Sequence, residues 1–250
     1  MLNNILNKHK SEIHGIIQVG ANTGQELDQL VKYSNNIYLF EPLKSAYSIL
    51  LAKSAKYKAV KTYNFALGDS HGIKTLNVTE DNNGASSSIL KPTLHKDYFP
   101  EIQFSTSEEV TVKRYDEIDE NLHANFLIID VQGFELKVLK GFGSKLENID
   151  FIFTEYSLKP LYDKSVLIYD LDDFLKKLGF IRFKTFPTSN KPQGDALYMR
   201  KEGKNSFMYF VYKLNSKFQI SNLYLFFFLL KDTKKLKFLF KKFIKKTLNL

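Results

Sequence analysis

Ile16-Ile17-Gln18-Val19-Gly20-Ala21-Asn22-Thr23-Gly24 is a short apolar run that stops at a turn with a glycine at each end. A helical pattern follows at once, Gln25 to Tyr33, with Leu27, Leu30 and Val31 on one face. Strand, glycine turn and helix in that order is how an open α/β sheet presents backbone N–H groups and a helix N-terminus to a ligand. Gly20 and Gly24 let the chain turn sharply and approach a ligand with no Cβ in the way. Seventeen residues after Gly24, a second apolar run, Ile37-Tyr38-Leu39-Phe40, ends in Glu41. An acid at the tip of the second strand, roughly 20 residues past the first turn, is where a ribose diol is held. Turn and acid together predict a nucleoside-containing cofactor more firmly than either alone.

Working outward, Pro42 ends the second strand and Ser45 is placed to cap a helix to about Ser54, with Ala46, Tyr47, Leu50 and Leu51 facing in. Val60 to Leu67 reads as a third strand. Alternation of strand and helix over this stretch predicts a parallel sheet with crossover helices. The pattern then changes. Ile73 to Thr79 and Glu109 to Arg114 alternate like exposed strands, with a polar loop between them that carries Ser86-Ser87-Ser88. This block reads as an antiparallel excursion over the sheet edge, and loops of such length are usually either functional or disordered. Alternation resumes with Phe126 to Ile129 ending at Asp130. A helix from Gly133 follows, with Phe134, Val138 and Leu139 inward. Next come a strand from Ile149 to Thr154 ending at Glu155 and a helix carrying Ile168, Leu171, Leu175 and Leu178. Ile181 to Phe186 and Ala196 to Met199 form a closing pair. Apart from the excursion, seven strand candidates result, the last two in succession.

The chain has 250 residues, 44% of them hydrophobic, which suits one large domain or a domain with an appendage. It has no cysteine, so disulfides, Cys-ligated zinc, iron–sulfur clusters and a cysteine nucleophile are excluded. Its five histidines have no metal-ligand spacing. Residues 1–14 lack the apolar core of a secretory signal, which predicts a cytoplasmic protein. The net charge of +9 divides unevenly. Residues 203–250 hold 11 lysines and one aspartate, and residues 1–202 the other 25 basic and 26 acidic side chains. The body therefore has no global excess that would draw nucleic acid. The tail is a different material. Leu223 to Leu230 is an apolar run too short to span a bilayer. Leu236, Leu239, Phe240, Phe243 and Ile244 then face Lys241, Lys242, Lys245 and Lys246 across a basic amphipathic helix. That pattern predicts either peripheral contact of residues 223–250 with the inner face of a membrane, or an appendage packed on protein. The expected domains are 1–202 and 203–250.

A family resemblance is specific at this point. Gln18-x-Gly20-x-Asn22-x-Gly24 looks like motif I of S-adenosylmethionine-dependent methyltransferases. Val19 to Gly24, Phe40-Glu41-Pro42, Asn64-x-Ala66-Leu67-Gly68-Asp69-x-x-Gly72 and Ile129-Asp130-Val131-Gln132-Gly133-Phe134-Glu135-x-x-Val138-Leu139-Lys140-Gly141 resemble the FkbM family. The likeness covers about residues 15–200, with the four motifs in order. Gln18 and Gln132 depart from it, standing where the family usually carries acids.

The resemblance implies a Rossmann-like class I methyltransferase fold. Its sheet is mostly parallel and seven-stranded with helices on both faces, the last strand running antiparallel. A helical C-terminal appendage would follow. It implies methyl transfer from S-adenosyl-L-methionine to an oxygen of a sugar, glycan or related natural product, a polysaccharide modification. Gln18, Gly20, Asn22, Thr23 and Gly24 would hold the methionine end. Glu41 would accept the ribose hydroxyls, and Ala66 and Leu67 would lie near the adenine. The protein must add alignment and relief of the acceptor's proton. Asp130 is the first choice for that proton and Glu155 the second, since strand tips converge on one edge of a parallel sheet. Asp130, Glu135 and Glu155 could offer oxygen ligands to Mg²⁺, but nothing in the sequence fixes their geometry, so no metal ligand is assigned. His71 and His95 are alternative bases. Two other readings stay open. One is a nucleotide-cofactor oxidoreductase, disfavoured because the third glycine of GxGxxG is absent. The other is a membrane-associated non-enzymatic or inactive protein, which Gln18 and Gln132 keep open.

Overall fold

In the computed structural model, residues 1–80, 83–120 and 122–200 are described. The tail reading at 203–250 lies outside the described residues. Among the described residues no helix is long and apolar enough to cross a membrane.

The central sheet is built from β1 (Ile16–Val19), β2 (Ile37–Phe40), β3 (Val60–Tyr63), β7 (Phe126–Ile129), β8 (Phe151–Ser157), β9 (Phe180–Pro187) and β10 (Gln193–Arg200), in the spatial order β3-β2-β1-β7-β8-β10-β9. The first five are parallel, and β10 enters between β8 and β9 antiparallel to both. This is the α/β, Rossmann-like methyltransferase topology that the closing strand pair implies. β1, β2 and β7 are buried along their whole length, as apolar runs in the middle of a parallel sheet must be.

The strand period of two sorts their side chains onto opposite faces. Ile17, Val19, Leu127 and Ile129 pack with Val138 and Leu139 of α5 (Glu135–Gly141) and with Leu171 and Leu175 of α6 (Ile168–Lys177). Ile16, Leu39, Phe126 and Ile128 pack with α1 (Leu2–Lys8), α2 (Leu27–Leu30) and Leu50 of α3 (Lys44–Ser54). Two cores back to back thus hold one sheet edge in place.

The excursion forms a separate sheet of β4 (Ala66–Leu67), β5 (Gly72–Thr79) and β6 (Phe104–Lys113), ordered β4-β6-β5, with β5 and β6 antiparallel. The expected single strand from Val60 to Leu67 is therefore two strands in two sheets. Asn64 makes the break, its side-chain amide donating to the carbonyls of Glu41 (2.9 Å) and Pro42 (3.1 Å). The helix expected over 25–33 shrinks to Leu27–Leu30, because the bonds from Lys32 and Tyr33 reach back only three residues. Ser45 lies inside α3 rather than capping it, and Leu51 is exposed. A short α4 (His95–Tyr98) interrupts the loop expected between the two exposed strands.

Candidate active site

The C-terminal ends of β1, β2 and β7 open into a cleft, over which the excursion lies. Its walls include Val19, Gly20, Asn22, Phe40, Glu41, Pro42, Ala66, Leu67, Leu76, Gly84, Ser87, Ile89, Asp130 and Phe134. Of the residues singled out from sequence, Gly20, Asn22, Glu41, Ala66, Leu67 and Asp130 line it. Gln18, Thr23, Gly24 and Glu155 are not on its walls.

The glycine turn is closed by its own backbone. The N–H groups of Gly20 and Ala21 both donate to the carbonyl of Phe40, and that of Gly24 donates to Ala21. Asn22 sits at φ +45, and its N–H donates to Glu41 Oε2 at 2.7 Å. The turn is thus not a row of free donors waiting for a phosphate, and the acid Glu26 stands at the start of α2. Gly20 (φ +82) needs its missing Cβ for packing, since a Cβ there would lie 1.8 Å from the carbonyl oxygen of Asp130. At Gly24 the corresponding space is taken by Leu50. Both glycines thus also serve the fit of the turn against its neighbours.

Glu41 is 6% exposed, and its Oε1 accepts the N–H of Leu43 at 2.8 Å. One carboxylate therefore ties the turn after β1 to the start of α3. Each oxygen keeps a second lone pair that can face the cleft. Burial pushes the carboxyl up to about 7, against the opposing pull of its two N–H donors.

Gln18 is 4% exposed in β1 and donates from Nε2 to Glu26 at 3.1 Å. Its Oε1 is buried with no partner. A buried acceptor left unmatched is uncommon and marks a place where a donor can be received. The acid absent at position 18 has a neighbour in Glu26, which sequence spacing alone did not flag.

Asp130 and Glu155 meet at the sheet edge because Ile129 pairs with Thr154, which puts the following residues side by side. Gln132 Nε2 donates to Asp130 Oδ1 at 2.7 Å and to Glu155 Oε2 at 3.0 Å. Asp195 stands opposite Glu155 on β10, and Gln193 donates to Glu155 Oε1 at 2.8 Å. Asp130 is open to solvent on the cleft side while protein surrounds it elsewhere. That enclosure raises its carboxyl, which the Gln132 amide partly opposes. Glu155 is raised well above the usual range by enclosure, then by Asp130, Glu135 and Asp195. Asp195 is pushed up to about 6 for the same leading reason. Glu135 is buried and closes its own turn, with Oε1 accepting from Gly133 (3.0 Å) and Val131 (3.4 Å). Burial pushes it up to about 7. Among the described residues, no three acidic or histidine side chains are placed to share a metal ion.

The loop after Gly84 spans both halves of the site. Asn22 Nδ2 donates to the carbonyl of Asn83 at 2.7 Å, and Ser88 Oγ donates to that of Gln132 at 2.7 Å. Ser87 lines the cleft; Ser86 and Ser88 are buried. His71 is exposed and paired with Glu117, and His95 is buried among Phe99, Phe104 and Tyr162. Neither histidine lines the cleft. Gln193 and Asp195 became visible only in the fold, because nothing in their spacing ties them to Asp130.

The Methyltransferase FkbM domain model matches residues 18–182, which include all four motifs and most of the sheet. The chain belongs to the FkbM methyltransferase family. The 2-O-methyltransferase NoeI of Sinorhizobium fredii is 25% identical over 176 residues, covering 66% of this chain and 72% of that one. The crystal structure of methyltransferase FkbM from Methylobacillus flagellatus has a TM-score of 0.49 at 14% identity. That match covers 74% of this chain but only 43% of the other, so this FkbM chain spans less than half of its length. Magnesium protoporphyrin IX methyltransferase (ChlM) from Synechocystis, solved with bound SAM, has a TM-score of 0.44 at 10% identity, covering 80% of this chain and 79% of that one.

Proposed function

We propose that this protein is an S-adenosylmethionine-dependent O-methyltransferase whose acceptor is a hydroxyl of a sugar, glycan or related natural product. The observation that carries the reading is the placement of Asp130. It lines one cleft together with Glu41 and the glycine turn, and Gln132 ties its carboxylate to Glu155.

The cleft's residues fit the cofactor. Phe40, Ala66, Leu67, Leu76, Ile89 and Phe134 give apolar walls for a flat base. Glu41 presents its remaining lone pairs to a diol. Gln18 is not on the cleft walls, and its buried, unmatched Oε1, with Glu26 beside it, is the acceptor proposed for the ammonium group. A dinucleotide would instead need free N–H groups for its pyrophosphate. Those of Gly20, Ala21, Asn22 and Gly24 already donate within the protein, which disfavours the oxidoreductase reading.

Bound S-adenosylmethionine supplies a methyl already activated by a sulfonium. The protein aligns the acceptor and takes its proton. Asp130 takes that proton on its carboxylate. Glu155 and Asp195 hold further acceptor hydroxyls as hydrogen-bond acceptors. The name of NoeI supports an oxygen acceptor.

Calorimetry with S-adenosylmethionine, S-adenosylhomocysteine and NAD tests the cofactor; no binding of the first two would remove the proposal. Glycan fractions with labelled methyl donor then test the acceptor, and label appearing only on amines would remove the oxygen assignment. The proposal for the tail is peripheral membrane contact through 223–250. Liposome co-sedimentation of the full chain against one ending near Gly203 tests it, and equal sedimentation would end it.

A further inference from the structure

Gln132 stands at the meeting point of the two carboxylates, and every polar position of its side chain is in use. Nε2 donates to Asp130 at 2.7 Å and to Glu155 at 3.0 Å, and Oε1 accepts the hydroxyl of Tyr162 at 2.8 Å. Its backbone is held in the left-handed region at φ +54 and its carbonyl accepts Ser88 Oγ. Tyr162 is 2% exposed, wedged against His95 and Phe104, so its hydroxyl is fixed in direction. The same hydroxyl lies 3.3 Å from the carbonyl of Ser86, and its bond to Oε1 braces the orientation in which the amide nitrogen faces the carboxylates. Turned over, the amide would set its oxygen against the two carboxylates, so they fix its orientation and the phenol braces it.

We propose that Gln132, braced by Tyr162, is a positioning residue whose amide bridges Asp130 and Glu155 and opposes their protonation, keeping Asp130 ready to accept a proton. The inference rests on the reading of Asp130 as the group that takes the acceptor's proton.

The surroundings give the amide its importance. The charged groups acting on the pair are Glu26, from the start of α2, Glu41, after β2, Glu135, from α5, and Asp195, from β10. All are acidic, and Tyr162 adds no positive charge. Among the described residues no lysine, arginine or histidine makes an ion pair with Asp130 or Glu155. The donors left to oppose protonation are the amides of Gln132 and Gln193. A hydrogen bond to the charged form favours that form. A glutamate at position 132 would add a further anion instead. The departure from the usual acid at this position thus acts on the charge state of the pair.

Carbon-13 carboxyl NMR of the full chain across pH reads the pair directly and needs no acceptor. Asp130→Asn and Glu155→Gln identify the two signals by their disappearance. Tyr162→Phe and Gln132→Met should raise the midpoint of the pair by about one pH unit, and Gln132→Glu should raise it further. Each variant should still bind S-adenosylhomocysteine, which reports an intact fold. Unmoved midpoints in variants that bind it would overturn the proposal. A readout in the unaltered chain covers variants that fail to fold. There the side-chain amide signals of Gln132 should shift with the midpoint of the carboxyl titration, and amide signals indifferent to it overturn the proposal. The two readings separate through Asp130→Asn. If methyl transfer survives that change while Tyr162→Phe displaces the titration, the bridge stands and Asp130 is not the base. If transfer is lost and the titration does not move, the base stands and the bridge falls.

Discussion

The backbone N–H of Asn22 donates to Glu41 Oε2 at 2.7 Å, joining the glycine turn after the first strand to the acid after the second. The same carboxylate accepts from Leu43 at 2.8 Å, so both oxygens hold the frame of the cleft as well as facing into it. An amide at this position accepts one of these bonds and sets an NH₂ group against the other donor. Glu41→Gln should therefore cost about 1–3 kcal/mol of stability, the price of one unmatched buried donor. It should also weaken S-adenosylmethionine binding by about tenfold or more. Urea unfolding and calorimetry check the two effects, and wild-type affinity in Glu41→Gln would remove Glu41 from the cofactor site.

Gly20 and Gly72 make a matched test of why the turn needs glycine. Both have positive φ, +82 and +146, but a Cβ at Gly72 meets nothing within 4 Å. Gly72→Ala should cost only backbone strain, on the order of 1–3 kcal/mol. Gly20→Ala adds a collision with the Asp130 carbonyl and should cost more than that or prevent folding. Equal loss in the two variants by urea unfolding would show that packing against Asp130 is unimportant.

Glu135 offers a stability test. Its carboxyl ordinarily titrates at 4.5 and is pushed up to about 7 in the folded chain. The folded chain thus holds the proton more tightly than the unfolded one. Stability from this group is complete below pH 4.5 and is lost as pH rises through about 7. Oε1 alone accepts both turn N–H groups, so a glutamine can keep both bonds. Glu135→Gln should flatten that fall and stabilise the protein by ~2 kcal/mol at pH 8. Thermal unfolding at pH 4 and pH 8 measures it, and a variant less stable than wild type at pH 8 would contradict the burial account.

Asp130 sets the expected pH dependence of turnover. Its carboxyl is raised above the usual range and must be ionised to take a proton, so turnover should rise with pH through the slightly acidic range. Asp130→Asn should lose about 10²–10⁴-fold in turnover and keep S-adenosylmethionine affinity within a few fold. Turnover that survives the change in labelled-methyl assays would move the role to Glu155 or Asp195.

The sequence by itself determined the sheet and one edge of it. Apolar runs buried on both faces, ended by glycine or acid, mark β1, β2, β7 and β8, and the closing strand pair sets the topology apart from a dinucleotide fold. These are local signals of strand period and turn chemistry, and they survive because each is written within a few adjacent residues. Gly20, Asn22, Glu41, Ala66, Leu67 and Asp130 could be brought to one cleft on that basis. Tertiary structure decided what those residues do with their hydrogen bonds. The donors of the turn are consumed by Phe40, Ala21 and Glu41, and the space beside Gly20 is filled by the Asp130 carbonyl. Only the fold brings Gln132 to Tyr162, 30 residues away, and to Glu155, 23 residues away. Hydrogen-bond partners that distant leave no periodic trace in a chain, because their meeting depends on strand register and on how the excursion packs over the sheet edge.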